Sequence, residues 1–167
     1  MKNDEYLVEA QNALFVFQML EEALKIRIGL FYEINETLKP AAFNVEKLMD
    51  TPLKHLINMY EAASGDGELV KDMNSAVSWR NFCAHNAYLH WLYSQTKNSP
   101  FTTHSVTDLR QVKDFSLTLV QRVGNEIKSL RAQTSEAPNN ALQPIAMPPL
   151  RCGSASAEFE RYASARA

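Results

Sequence analysis

Residues 4–38 read DEYLVEAQNALFVFQMLEEALKIRIGLFYEINETL, and this stretch decides the fold. Ala10, Phe17, Leu24, Phe31 and Leu38 recur every seventh residue, and Ala13, Leu14, Leu20, Ile28 and Ile34 fill the neighbouring turns. Such spacing is a wide apolar stripe at the helical period. Asn3 is placed to cap the start, and Asp4 and Glu5 stand where the helix dipole favours anions. Pro40 disfavours helical backbone in the residue before it. The pattern predicts one helix from about Asp4 to Leu38, about 50 Å long at the standard rise, with Gly29 as the place for a kink.

Downstream, Thr51-Pro52 predicts a helix start, with Thr51 as cap and Pro52 in the first turn. Leu53, Leu56, Ile57 and Tyr60 then form a short apolar face, preceded by a helical turn over Asn44–Met49. Ser64-Gly65-Asp66-Gly67 breaks the pattern and offers Asp66 as the next cap. A third helix is expected from Glu68 to about His85, its stripe reading Leu69, Met73, Ala76, Arg80, Cys83 and Ala87. The aromatic segment Tyr88–Gln95 either continues that helix or breaks from it. Thr96–His104 reads as a loop. Ser105-Val-Thr-Asp108 fits a capping box. It opens a last helix carrying Leu109, Val112, Leu119, Val123, Ile127 and Leu130.

There is neither a repeat nor an alternating strand pattern. The expected fold is all-α: an up-and-down bundle of four to five helices with a long first helix, over residues 1–132. Residues 133–167 hold four of the seven prolines and much Ala, Ser and Asn. They read as a low-complexity, disordered tail with room for one short helix at 157–165.

With 46% hydrophobic and 22% charged residues the chain as a whole is not disordered, and five glycines exclude collagen-like architecture. A net charge of −2 will not hold it on nucleic acid by bulk electrostatics, so any such chemistry needs a local site. Cys83 and Cys152 are too few for a disulfide scaffold or a structural zinc site and suit a reducing compartment. The N-terminus lacks signal-peptide character, and no apolar run is long enough to span a bilayer. The expected location is cytoplasmic. The charge is unevenly spread: residues 1–75 carry 7 basic and 13 acidic residues, and residues 76–132 carry 7 basic and 3 acidic.

The basic half contains the segment with chemistry in it, Trp79-Arg80-Asn81-Phe82-Cys83-Ala84-His85-Asn86-Ala87-Tyr88-Leu89-His90-Trp91. Arg80 lies in line with a core-facing stripe, where an unpaired guanidinium is costly. It either pairs with a first-helix glutamate such as Glu21, Glu22 or Glu33, or is presented to a cleft. Asn81 and His85 are four apart and share a helix face, so Asn81 could orient the imidazole. Arg80 and His85 are five apart, about 140° around an ideal helix. They converge only at a helix end, at a bulge or across a dimer. His85 and His90 lack the i, i+4 spacing of helical metal pairs, so no metal site is expected. Cys83 reads as a packed, inert thiol. His55 and His104 read as surface residues.

Arg80-Asn81 followed by His85 resembles the Arg-x(4–6)-His motif of the HEPN superfamily, in which a polar residue directly follows the arginine. The all-helical setting over residues 4–131 agrees. The resemblance implies a metal-independent ribonuclease without cofactor, acting as a homodimer whose two motifs line one cleft. Arg80 and His85 would be catalytic, with Asn81 orienting His85 or touching phosphate. Imidazole ordinarily titrates near pH 6.5 and can pass a proton at neutrality. It would assist attack of the RNA 2′-hydroxyl, leaving a 2′,3′-cyclic phosphate and a 5′-hydroxyl. Arg80 would stabilise the charged transition state. Tyr88, His90 and Trp91 are candidates to bind substrate, the aromatics by stacking on bases. Such proteins resemble toxins of toxin–antitoxin and abortive-infection systems, which implies an antitoxin protein as a partner. One toxin branch carries a tyrosine two residues after the histidine. Here Ala87 takes that place and Tyr88 follows it. The family also contains inactive members, so the alternative is a non-catalytic helical interaction or regulatory module.

Overall fold

The first helix, α1, spans Lys2–Ile34 without interruption at Gly29. It stops four residues before the predicted end. The Phe31 carbonyl accepts from both the Asn35 amide at 2.9 Å and the Asn35 side chain at 3.0 Å, which satisfies it at the helix end. A 3₁₀ turn at Glu36–Leu38 follows. The buried line runs Ala10, Ala13, Phe17, Leu20, Leu24, Ile28 and Tyr32. The seventh-residue pattern holds through Leu24 and then fails: Phe31 is half-buried and Leu38 is 61% exposed. Seven residues fall about 20° short of two turns, so a strict heptad drifts off a straight helix's buried face. Tyr32 takes over and packs on Phe43, ring centroids 4.8 Å apart.

This architecture comes from a computed structural model that describes residues 2–63, 65–94 and 104–135, all within one unit spanning Met1–Glu136. The predicted loop at 96–104 apart from His104, the tail beyond residue 135 with its helix at 157–165, and Cys152 lie outside the described residues.

Helix α2 is Val45–Met49, capped by Asn44, whose side chain accepts from the Glu46 and Lys47 amides. Helix α3 is Leu53–Ala62, with Leu53, Leu56, Ile57 and Tyr60 buried as expected. Thr51 does not cap it. Pro52 occupies the cap position, and the Thr51 hydroxyl donates back to the Lys47 carbonyl at 2.7 Å. Helix α4 is Gly67–Asn81, capped by Asp66 as its sequence signal predicts. A π-helical turn, Phe82–Asn86, joins it directly to α5, Ala87–Ser94, so the aromatic segment continues the third helix. Helix α6 is Val106–Ser135, three residues past the predicted domain boundary. Its capping box is formed: the Ser105 amide donates to Asp108 at 2.7 Å and the Asp108 amide to Ser105 Oγ at 3.1 Å. Among the described residues there is no strand, and no helix is long and apolar enough to cross a membrane.

The core forms where α1 meets α6, α3 and α4. Phe17, Leu20, Leu24, Tyr60, Met73, Leu109, Leu119 and Val123 are almost wholly enclosed. Ion pairs mark the relative direction of α1 and α6. Glu5 and Glu9 near the start of α1 meet Arg110 and Lys113 near the start of α6, and Arg27 meets Glu126 further along both. So α1 and α6 run parallel. Ser116 sits fully buried on α6, and among the described residues its hydroxyl has no hydrogen-bond partner. Ser116→Ala removes a desolvated hydroxyl and improves helix propensity. It is expected to raise stability by about 0.5–1 kcal/mol in urea unfolding, and any loss would show that the hydroxyl is in use.

One buried network ties α1, α3 and α6 together. Arg27, only 6% exposed, donates from Nε to Glu126 at 3.0 Å and from an Nη to the Ala63 carbonyl at 3.1 Å. Its guanidinium lies 5.0 Å from the Tyr60 ring centre and 5.1 Å from that of Phe31. The Tyr60 hydroxyl donates to Glu126 and accepts from the Asp66 amide at 3.1 Å. Burial, then the Glu126 carboxylate, pushes the Tyr60 phenol well above its ordinary range. Gly65 is required at this turn, because a Cβ there would fall 2.6 Å from the Tyr60 carbonyl and into its ring.

Three carboxylates are held below their usual range. Glu9 is lowered first by its hydrogen bond from Arg110, Asp66 by the Glu68 amide and Asp108 by the Ser105 amide. Depressed folded-state values mean that their stabilisation is complete above the unfolded values, about pH 4, and is lost as pH falls through the lower folded ones. Urea midpoints should therefore decline below about pH 4. Asp108→Asn should flatten that decline, and an unchanged slope would remove Asp108 from the account.

Candidate functional site

The segment around Arg80 is shaped by the π-turn. The Ala87 amide bonds to the Phe82 carbonyl, five residues back, in place of the Cys83 carbonyl. Phe82 and Cys83 are buried, and Ala87 is buried one wide turn later. A turn closed over five residues rotates less per residue than an α-turn. It therefore swings His85 back toward the side of Arg80, compared with the 140° of an unbroken helix.

Arg80 reaches α1. Its Nε donates to Glu21 Oε1 at 3.2 Å, with the two side chains 27% and 15% exposed. Of the three glutamates weighed from the sequence, Glu21 is the partner. Asn81 and His85 are both exposed, and among the described residues neither makes a side-chain hydrogen bond, so Asn81 does not fix the imidazole. Arg80 is thus turned to α1, whereas Asn81 and His85 are open to solvent. Polar atoms without a hydrogen-bond partner among the described residues are on Asn81, on His85 and at the two terminal nitrogens of Arg80.

The three candidate binding residues separate. Tyr88 is 59% exposed and follows His85 by three residues, with Leu89 and Leu92 continuing the exposed face. Trp91 is half-buried, its ring 5.6 Å from that of Tyr88. His90 turns the other way. Its ring meets the edge of Phe82 at 4.8 Å and lies nearly parallel to His104 at 6.3 Å. His104 is not a free surface residue. It is half-buried, 4.2 Å from Trp79 and 4.6 Å from Phe82, and stands just before the Ser105 cap. A residue preceding an N-cap commonly packs inward, and that position was the available signal. His55 is exposed as expected. Ala87 is buried, so a tyrosine has no space there, whereas Tyr88 is open to solvent.

Cys83 is enclosed, and burial pushes its thiol up to about 11, which leaves it protonated and unreactive at neutral pH. Among the described residues no three His, Cys, Asp or Glu side chains are grouped to hold a metal ion.

The uneven charge is largely consumed inside the bundle. In the basic half, Arg80, Arg110, Lys113 and Arg122 each meet carboxylates of the acidic half: Glu21; Glu5 and Glu9; Glu9; and Asp66 with Asp72. Four of the seven basic residues of that half are thus engaged with acidic residues of the first half, and Lys128 and Arg131 form no ion pair among the described residues. Comparison with protein-family models, with curated proteins and with solved structures gives no match.

Proposed function

We propose that the chain is a HEPN-like, metal-independent endoribonuclease of the toxin or abortive-infection type, cutting RNA by 2′-hydroxyl attack. The observation that carries this reading is the π-turn at Phe82–Asn86, which narrows the angle between Arg80 and His85 from that of an unbroken α-helix. His85 is exposed and without a hydrogen bond among the described residues, so its imidazole is accessible to a 2′-hydroxyl or a leaving oxygen. Arg80 would exchange Glu21 for the phosphate in the transition state, where its planar donors match the developing charge. Asn81, unengaged beside them, would contact phosphate. Tyr88 and Trp91 offer a stacking surface along the same face. A homodimer would set two such sites in one cleft, and an antitoxin protein would mask it.

The Glu21–Arg80 pair favours a second reading, in which the arginine is structural and the domain is a non-catalytic interaction module. RNA cleavage without divalent metal separates the two. Wild-type protein should cut, and His85→Ala and Arg80→Ala should not. Equal cleavage by all three, or none by a correctly folded wild type, rejects the ribonuclease reading.

A further inference from the structure

Between α1 and α2 lies an apolar groove of about 610 Å³, the size of a small-molecule site. Of its apolar lining, Leu48 is buried and Leu30 and Phe43 are half-buried, while Ile26, Val45 and Met49 stay 45%, 58% and 51% exposed. Gly29 sits in the middle of the α1 face that lines it, with Lys25 and Ile26 one turn before and Glu33 one turn after. A glycine inside a helix costs stability relative to an ordinary residue. The packing of the chain does not demand it, because a Cβ at Gly29 would meet nothing within 4 Å. Such a glycine is not a site by itself. Its place on the groove wall gives it meaning, since a side chain there would take up the groove's space.

Three carboxylates and two ammonium groups line the same groove. Lys25 is bound to Glu22 at 2.6 Å, and the Lys39 ammonium lies over the Phe43 ring, 5.6 Å from its centre. Glu33 and Glu36 are exposed and form no ion pair among the described residues. The groove therefore joins an apolar wall to two unpaired carboxylates.

We infer that this groove is a binding site for an organic cation with an apolar body, its ammonium group drawn to Glu33 and Glu36. The apolar body covers Ile26, Val45 and Met49 and takes the space that Gly29 leaves open. The ammonium stays beside exposed carboxylates, where water still reaches it, so desolvation does not cancel the attraction. An anion of the same shape meets Glu33 and Glu36 as like charges, and a neutral molecule gains nothing from them. No residue of the Arg80–Trp91 segment lines the groove, so the proposal does not rest on the ribonuclease reading.

Two-dimensional amide NMR of the isotope-labelled full chain, titrated with octylammonium, octanol and octanoate, tests the proposal with one apolar chain at three charges. Octylammonium should shift the amides of Gly29, Leu30, Glu33 and Val45 saturably. Octanol should bind the same amides several-fold more weakly, and octanoate at least about 10-fold more weakly. The double variant Glu33→Gln/Glu36→Gln should reduce octylammonium to the level of octanol. Gly29→Leu should abolish binding of all three while raising the melting temperature, because leucine favours helix. Binding lost together with stability gained excludes misfolding as the cause. The proposal is overturned by a groove whose amides do not respond saturably to octylammonium, or by octanoate binding as tightly. A double variant that keeps the preference for the cation, or a folded Gly29→Leu that still binds, would overturn it equally.

Discussion

Replacing Arg27 with alanine is expected to cost about 3 kcal/mol of folding stability. The guanidinium is enclosed and does three things at once. It closes the C-terminal end of α3 through the Ala63 carbonyl, pairs with Glu126 on α6, and lies between the rings of Phe31 and Tyr60. Alanine leaves a void between two aromatic rings and a desolvated carbonyl at Ala63, and deprives Glu126 of its cation. Each of the first two losses is of order 1–2 kcal/mol. Glu126 keeps the Tyr60 hydroxyl and partial solvent access, so its share is smaller. A midpoint lowered by about 10 °C in thermal unfolding is the expected reading. Arg27→Met retains the stem that fills the space and should recover about half of the loss. If Arg27→Ala melts within about 2 °C of wild type, the network is ornamental to stability.

On the proposed ribonuclease reading, His85→Ala should lower single-turnover RNA cleavage at least about 100-fold, the usual worth of a positioned acid or base. The substitution is at an exposed position, so the melting temperature should stay put, which separates a chemical loss from a structural one. Arg80→Ala should lose a similar factor, but with some destabilisation because Glu21 is left half-buried without its partner. Glu21→Gln discriminates further. It removes the charge competing for the guanidinium while preserving an acceptor oxygen. If Arg80 must leave Glu21 to reach phosphate, this variant should bind RNA several-fold more tightly and cleave at least as fast as wild type. If Arg80 is purely structural, Glu21→Gln should alter stability alone. A wild type and His85→Ala that cleave at the same rate would remove His85 from the chemistry.

Much of the secondary structure was legible in local sequence. The Ser105–Asp108 box and the Asp66 cap were readable because the groups that satisfy a helix start lie within three residues of it. Tyr60 and the stripes of α4 and α6 were readable because burial follows the helical period. The stop of α1 at Ile34 is not legible in this way, since Pro40 signals only that helix has ended, whereas the chain turns at Asn35, whose side chain and amide both donate to the Phe31 carbonyl. The candidate site was half legible. Arg80, Asn81 and His85 stood out by type and spacing, but the angle between them hung on whether the turn closes over four residues or five. The closure at Phe82–Ala87 accompanies the burial of Phe82, Cys83 and Ala87 together in the core beside α1, which residue spacing alone does not express.

The sequence by itself determined the helical class, the long first helix, the capped helix starts and the identity of the chemistry-bearing segment, because each depends on residues within a turn or two of one another. Only the tertiary structure decided which charges remain available. The acidic first half and the basic second half invited a search for an anion site, yet Arg80, Arg110, Lys113 and Arg122 find their counter-charges from 50 to 105 residues away. Charge along a chain is a sum over neighbours in sequence, whereas the field a ligand meets is a sum over neighbours in space. Packing α1 against α4 and α6 cancels most of the former, and leaves His85 and Asn81 exposed beside a paired arginine.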